Sequence, residues 1–197
     1  MSVETLESGP YTLAYLDTAP DDGRRREIID GGLFVTPSPS RIHQRAVVQL
    51  GTKLNIACPA GFEVLVAPFD YRPTSKRSVQ PDVLVCTPDE VGSKHARKPL
   101  ALAVEILSPS TKMLDLLLKR GVYEQAGVQS YWILDPDAES LTVLELVDAV
   151  YVERDVVTGE KVFEAALPFP VQIVPSELFR ALTAVSCSSG GRLSRCG

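Results

Sequence analysis

A carboxylate stands inside an apolar run at Ala101-Leu102-Ala103-Val104-Glu105-Ile106-Leu107. Such a run reads as a buried strand, and burying an ionised carboxylate costs several kcal/mol unless it is paired or holds a metal. A second carboxylate, Asp82, opens another apolar run, Pro81-Asp82-Val83-Leu84-Val85-Cys86, 23 positions earlier. Lys119 follows on the next helical segment. Phosphodiester hydrolysis needs a cation to neutralise developing charge, an activated water and a positive group near the phosphate. Mg²⁺ is typically held by one or two carboxylates with substrate oxygens and water. Asp82, Glu105 and Lys119 supply those parts if their elements meet. Ser108-Pro109 ends the Glu105 strand and leaves that carboxylate near an edge open to solvent and substrate. The structural alternative is that each carboxylate merely pairs with a nearby Lys or Arg.

Asp115, Lys119 and Tyr123 recur every four residues, so each is turned only ~40° around a helix from the last. They share one face, on which Asp115 and Lys119 can form an i,i+4 salt bridge that would also orient the lysine. Tyr123 and Trp132 read as aromatic packing, and Asp135 as a turn residue before Pro136.

The elements that must position these groups follow from local pattern. Asp30-Gly31-Gly32 between apolar runs predicts a hairpin over Glu27 to Thr36. Ser40 predicts an N-cap for a helix running to about Ala57, with Val47, Leu50 and Leu54 as its apolar stripe and His43 on that stripe. A short helix is predicted over Tyr11 to Leu16. Strands are predicted at Phe62 to Ala67, Val83 to Cys86, Leu100 to Leu107, Tyr131 to Leu134, Leu141 to Leu146, Val150 to Arg154 and Lys161 to Ala165. Between the third and fourth lies a helix capped by Ser110 or Thr111 and closed by Gly127, with Leu114, Leu117 and Leu118 as its apolar face. That strand-helix-strand unit reads as a right-handed crossover. The later strands read as antiparallel hairpins, so the sheet is expected to be mixed.

Length and composition set the class. The 197 residues fit one domain spanning 1–185, followed by a disordered tail over 186–197. Apolar residues make up 45% and charged residues 23%, an ordinary globular balance. No run approaches the ~20 apolar residues of a membrane span, and no signal peptide is evident, so a cytoplasmic protein is expected. The net charge of −5 argues against a uniform electrostatic grip on nucleic acid, although Arg24-Arg25-Arg26, Lys76-Arg77 and Lys94-His95-Ala96-Arg97-Lys98 form local basic clusters. Four cysteines without C-x-x-C spacing and two histidines exclude a histidine-rich zinc centre. A metal here would take oxygen ligands, which suits Mg²⁺ or Mn²⁺.

The run Glu-Ile-Leu-Ser-Pro-Ser-Thr from Glu105, then Asp115, Lys119, Tyr123 and Gly127-Val128-Gln129-Ser130-Tyr131-Trp132-Ile133-Leu134-Asp135-Pro136, resembles the Uma-two family of restriction endonucleases. That family falls in the PD-(D/E)xK nuclease superfamily. Glu27-Ile28-Ile29-Asp30-Gly31, the Pro-Ser-Pro-Ser and His43 stretch, and Pro81-Asp82-Val83 fit in the same order. The likeness covers roughly residues 10 to 180. It implies an α/β restriction-endonuclease-like core, a mixed central sheet flanked by helices, and Mg²⁺-dependent cleavage of DNA. Residue by residue, it implies metal ligation by Asp82 and Glu105 and an accessory carboxylate at Glu27, with His43 as a further site residue. The lysine expected two positions after the motif glutamate is Leu107, so the resemblance transfers that role to Lys119.

Three readings follow. The first is a Mg²⁺- or Mn²⁺-dependent DNA endonuclease, expected to work as a homodimer because cutting two strands favours two sites. The second is a catalytically inactive nuclease-fold module that binds DNA or protein. The third is a metal-dependent hydrolase of a small phosphorylated molecule.

Overall fold

The computed structural model describes residues 4–20, 22–92, 94–109 and 112–181. The predicted tail from 186 and the predicted caps Ser110 and Thr111 lie outside the described residues. Two six-stranded sheets and a two-stranded ribbon make up the β structure described.

The first sheet has the order β1 (Glu4–Ser8), β3 (Gly32–Thr36), β2 (Arg25–Ile29), β6 (Arg77–Val79), β5 (Asp70–Thr74) and β8 (His95–Ala96). The predicted hairpin forms its β2–β3 pair. Asp30 and Gly31 both take positive φ (50° and 94°), the left-handed pair that a two-residue turn between right-twisted strands requires.

The second sheet has the order β12 (Val150–Thr158), β11 (Ser140–Val147), β10 (Ser130–Asp135), β9 (Leu102–Ile106), β7 (Val83–Cys86) and β4 (Glu63–Val66). Only β9 and β10 run parallel, and every other pair is antiparallel, so the sheet is mixed as expected. A π-helical turn (Leu114–Lys119) followed directly by α3 (Arg120–Gln125) connects β9 to β10. α3 closes at Ala126, and Gly127 takes φ 76° just beyond, where a left-handed residue ends a helix.

The central strands β7, β9 and β10 of this sheet are buried on both faces. Val83, Val85, Leu102, Val104, Ile106, Trp132 and Leu134 join one core cluster. Against it packs α2 (Arg41–Ala57) through Val47, Leu50 and Leu54, the predicted stripe, with Ser40 capping the helix by accepting from the His43 backbone N–H. Leu84, Cys86, Ala103, Leu107, Tyr131 and Ile133 form the opposite cluster with Val122 and Tyr123 of α3. The period of two along β9 therefore turns Glu105 the same way as Ala103 and Leu107, toward α3.

α1 (Leu13–Thr18) lies two residues later than predicted. The ribbon pairs β13 (Phe163–Ala165) with β14 (Val171–Ile173), and α4 (Pro175–Phe179) is tied to α2 by Arg45 Nη1 donating to the Phe179 carbonyl at 2.9 Å. Among the described residues no helix is long and apolar enough to cross a membrane.

One expectation is overturned in the crossover. Leu114 is buried, but Leu117 and Leu118 are 61% and 45% exposed. The face turned inward carries Asp115, Lys119, Val122 and Tyr123. Two leucines are left in solvent because the inward positions are taken by a lysine and a carboxylate with partners inside the protein. Removing those partners from a buried charge costs more than exposing a leucine.

Candidate active site

β7 and β9 pair antiparallel, with Val83 opposite Val104 and Leu84 opposite Ala103. Extended by one step, that register sets Asp82 opposite Glu105, and Asp82 N–H donates to the Val104 carbonyl at 2.9 Å. The 23-residue separation in sequence thus becomes direct adjacency in space. Asp82 Oδ2 accepts from the Ile106 backbone N–H at 2.8 Å, so the carboxylate itself closes the end of the ladder.

The other site candidates from the sequence, Lys119, Glu27 and His43, come to the same place. Lys119 Nζ lies 2.9 Å from Glu105 Oε1, 3.0 Å from Glu27 Oε1 and 3.4 Å from Asp115 Oδ1. Lys119 thereby reaches Glu105 from the π-helical turn, while Leu107, where the superfamily pattern expects its lysine, packs in the core. His43, at the start of α2, places Nε2 3.0 Å from Asp82 Oδ2. Glu27 on β2 accepts from the Gln80 backbone N–H at 2.7 Å, which fixes the first sheet to the segment leading into β7.

Two residues were not expected here. Arg25 reads in the sequence as part of a solvated Arg24-Arg25-Arg26 cluster. In the fold, its Nη1 lies 2.8 Å from Asp82 Oδ1, and its Nη2 lies 3.3 Å from Glu27 Oε1 and 3.7 Å from Glu105 Oε2. The signal was its spacing, since Arg25 and Glu27 are two apart on a strand and share a face. Tyr123 reads as packing, and it does stack near Tyr71 and Tyr131, but its hydroxyl also donates to Glu105 Oε1 at 2.5 Å. Asp135 holds a turn as predicted, accepting from the backbone N–H groups of Asp137 and Ala138, and Trp132 is a core residue.

The electrostatics of the cluster are set by burial. Glu27, Asp82, Glu105, Asp115 and Lys119 are each no more than 2% exposed. Burial alone would raise the Asp82 carboxyl, but Arg25, His43 and Lys119 outweigh it and hold it far below the usual carboxylate range. Burial likewise opposes the Glu27 charge, and Arg25, Lys119 and the Gln80 N–H bring its carboxyl below the ordinary value. Glu105 goes the other way. Burial pushes it well above the ordinary range, Asp115 and Asp82 add repulsion, and Lys119 and Arg25 offset only part. Burial and Arg25 oppose the Lys119 charge, yet Glu105, Glu27 and Asp115 prevail and keep it an ammonium. Environments that drive neighbouring carboxyls apart in this way are typical of functional sites.

Four carboxyl groups here face two cations, Arg25 and Lys119. Fully ionised, they carry two uncompensated negative charges. The donors are hard oxygens, and Glu27 Oε2 is buried with no hydrogen-bond partner. In charge and chemistry the set fits a hard divalent cation such as Mg²⁺ or Mn²⁺. Among the described residues, however, no three His, Cys, Asp or Glu side chains stand ready to close on a metal ion.

The family model described as "Uma2: Putative restriction endonuclease" matches residues 13–182. Among solved structures, the chain is similar to "a putative nuclease belonging to DUF820" from Anabaena variabilis ATCC 29413 at 19% identity and a TM-score of 0.67, over 86% of this chain and 98% of that one. At that identity the likeness establishes the fold. No curated protein matches the chain. The match over most of its length places the chain in the Uma2 family.

Proposed function

We infer, from membership of a family described as restriction endonucleases and from the buried cluster, that this chain is a nuclease that hydrolyses DNA phosphodiester bonds with the help of Mg²⁺ or Mn²⁺. One observation carries the reading. Every buried Asp, Glu, His and Lys among the described residues belongs to this one cluster. A fold that needed charges only for solubility would leave them at the surface.

Asp82 and Glu105 would hold the cation, with Glu27 beside them. A cation bound there supplies the positive charge that a phosphodiester gathers onto its oxygens during displacement. Lys119, kept an ammonium by its three carboxylates, stands ready to polarise a water or stabilise a phosphoryl oxygen at the same point. Tyr123 donates to Glu105 Oε1, the oxygen that Lys119 also holds, and so helps fix the orientation of that carboxyl. His43 cannot receive a hydrogen from an ionised Asp82, so its Nε2–H donates and orients that carboxylate. The exposed cations Lys76, Lys94, Arg97 and Lys98 lie in or beside the first sheet, the sheet that supplies Arg25 and Glu27, and give a DNA backbone a local positive approach. Cutting both strands would draw on a second copy of the chain, since the described residues of one chain hold one such cluster.

The test sets a labelled DNA duplex beside a mononucleotide phosphate in Mg²⁺. Cleavage of the duplex with the mononucleotide intact is the expected result. Turnover of the mononucleotide alone would replace the reading with a small-molecule hydrolase.

A further inference from the structure

Arg25 sits in the middle of the acidic cluster. Its guanidinium reaches all three carboxylates proposed to surround the cation, Asp82 at 2.8 Å, Glu27 at 3.3 Å and Glu105 at 3.7 Å. It puts one positive charge among them, and as the side chains stand no three of them can close on a metal.

The two cations of the cluster are held very differently. Lys119 is 1% exposed and ringed by three carboxylates, so it cannot leave without opening the core. The Arg25 side chain is 22% exposed and enters from the solvent side on β2. It is also incompletely satisfied, because its buried Nε has no hydrogen-bond partner. A guanidinium that is partly exposed and lacks one hydrogen bond is the cation of the two that is placed to give way to a doubly charged competitor. Once outside, its planar fork suits the phosphate oxygens of a substrate.

We propose that Arg25 is a displaceable counter-ion, which fills the carboxylate cluster in the absence of a divalent cation, swings outward when the cation enters, and then grips a phosphate of the nucleic acid. This rests on the nuclease reading above and adds a gate to it. The occupancy of the cluster by cation and the position of Arg25 become a single equilibrium.

The test titrates Mn²⁺ calorimetrically into the full chain without DNA, comparing wild type with Arg25→Met and Arg25→Lys. The same proteins are then titrated with a DNA duplex in Ca²⁺ across a range of salt. Arg25→Met is expected to bind Mn²⁺ at least tenfold more tightly than wild type and Arg25→Lys close to wild type. In the duplex titration, Arg25→Met is expected to bind more weakly, with a log K against log salt slope smaller by about one phosphate contact. Equal or weaker Mn²⁺ binding by Arg25→Met, or an unchanged salt slope, overturns the proposal while leaving the metal site standing. No Mn²⁺ binding by either wild type or Arg25→Met would instead remove the metal site, and the gate with it. Should Arg25→Met not fold, the side-chain Nε–Hε resonance of Arg25 in the wild-type protein gives the answer. It is expected to shift along the Mg²⁺ binding isotherm, and a resonance that stays put while the calorimeter records binding overturns the proposal.

Discussion

Lys119 is buried and paired with three carboxylates. Removing one partner from a buried ionic network leaves an uncompensated charge and costs about 3–5 kcal/mol. Lys119→Met, which keeps the stem and drops the charge, is therefore expected to lose stability of that order in urea titrations and to lose cleavage entirely. Tyr123→Phe removes only a hydroxyl donated to Glu105. It is expected to cost about 1.5–3 kcal/mol and to lower the cleavage rate while the protein still folds, as circular dichroism and a turnover assay would report together. Asp82 and Glu105 stood out because a charge in an apolar run breaks a pattern, and Lys119 because of its helical spacing with Asp115 and Tyr123. Glu27 and His43 were legible only through the family resemblance. Arg25 broke none. It sits in a run of three arginines, where charge is unremarked, and only its two-residue spacing from Glu27 on one strand singles it out from the other two.

The elements differ in how plainly they were written. β7, β9 and β10 are continuous apolar runs, and α2 has both a cap and a clean stripe, so burial and period agreed. β5, β6 and β8 were not foreseen, since they are short and polar and Pro73 stands inside β5. The crossover misled because its leucines obey the amphipathic spacing while its polar residues hold the buried positions, and periodicity weighs hydrophobicity without seeing partners. That inversion has a direct check. Leu114→Ala is expected to cost about 2–5 kcal/mol and Leu118→Gln within about 0.5 kcal/mol, an order that a conventional apolar face would abolish. β2, which delivers Arg25 and Glu27, is clamped at its start by Arg26, whose Nη1 and Nη2 donate to the two Asp22 oxygens at 2.8 and 2.7 Å. Those hydrogen bonds, with one from the Arg24 backbone N–H, lower the Asp22 carboxyl from 3.8 to about 2. A group whose value is depressed on folding stabilises above its unfolded value and loses that contribution as the pH falls through the folded one. Wild type should therefore weaken between about pH 4 and pH 2 in a way that Asp22→Asn does not, read from urea midpoints across that window.

At the scale of the whole molecule, the cluster lies where two sheets meet. The chain leaves β6 of the first sheet, passes Gln80, Pro81 and Asp82, and enters β7 of the second. Gln80 holds Glu27 and Asp82 holds Arg25, so both sheets depend on the same few charges. A cation bound there would tie the sheets together. At a hundred times its dissociation constant a ligand stabilises by about 2.7 kcal/mol, which for a chain of this length raises the melting temperature on the order of 5–10 °C. Mg²⁺ is expected to produce such a shift in wild type, EDTA to reverse it, and Asp82→Asn to show none.

The most direct measurement is nicking of supercoiled plasmid in Mg²⁺ and in Mn²⁺ by wild type, Asp82→Asn, Glu105→Gln and Lys119→Met, each first shown to be folded. Nicking that requires the cation and disappears in all three variants is the expected result. Nicking that survives the substitutions, or a folded wild type that leaves the plasmid closed in both cations, would contradict the assignment of this cluster as a nuclease active site.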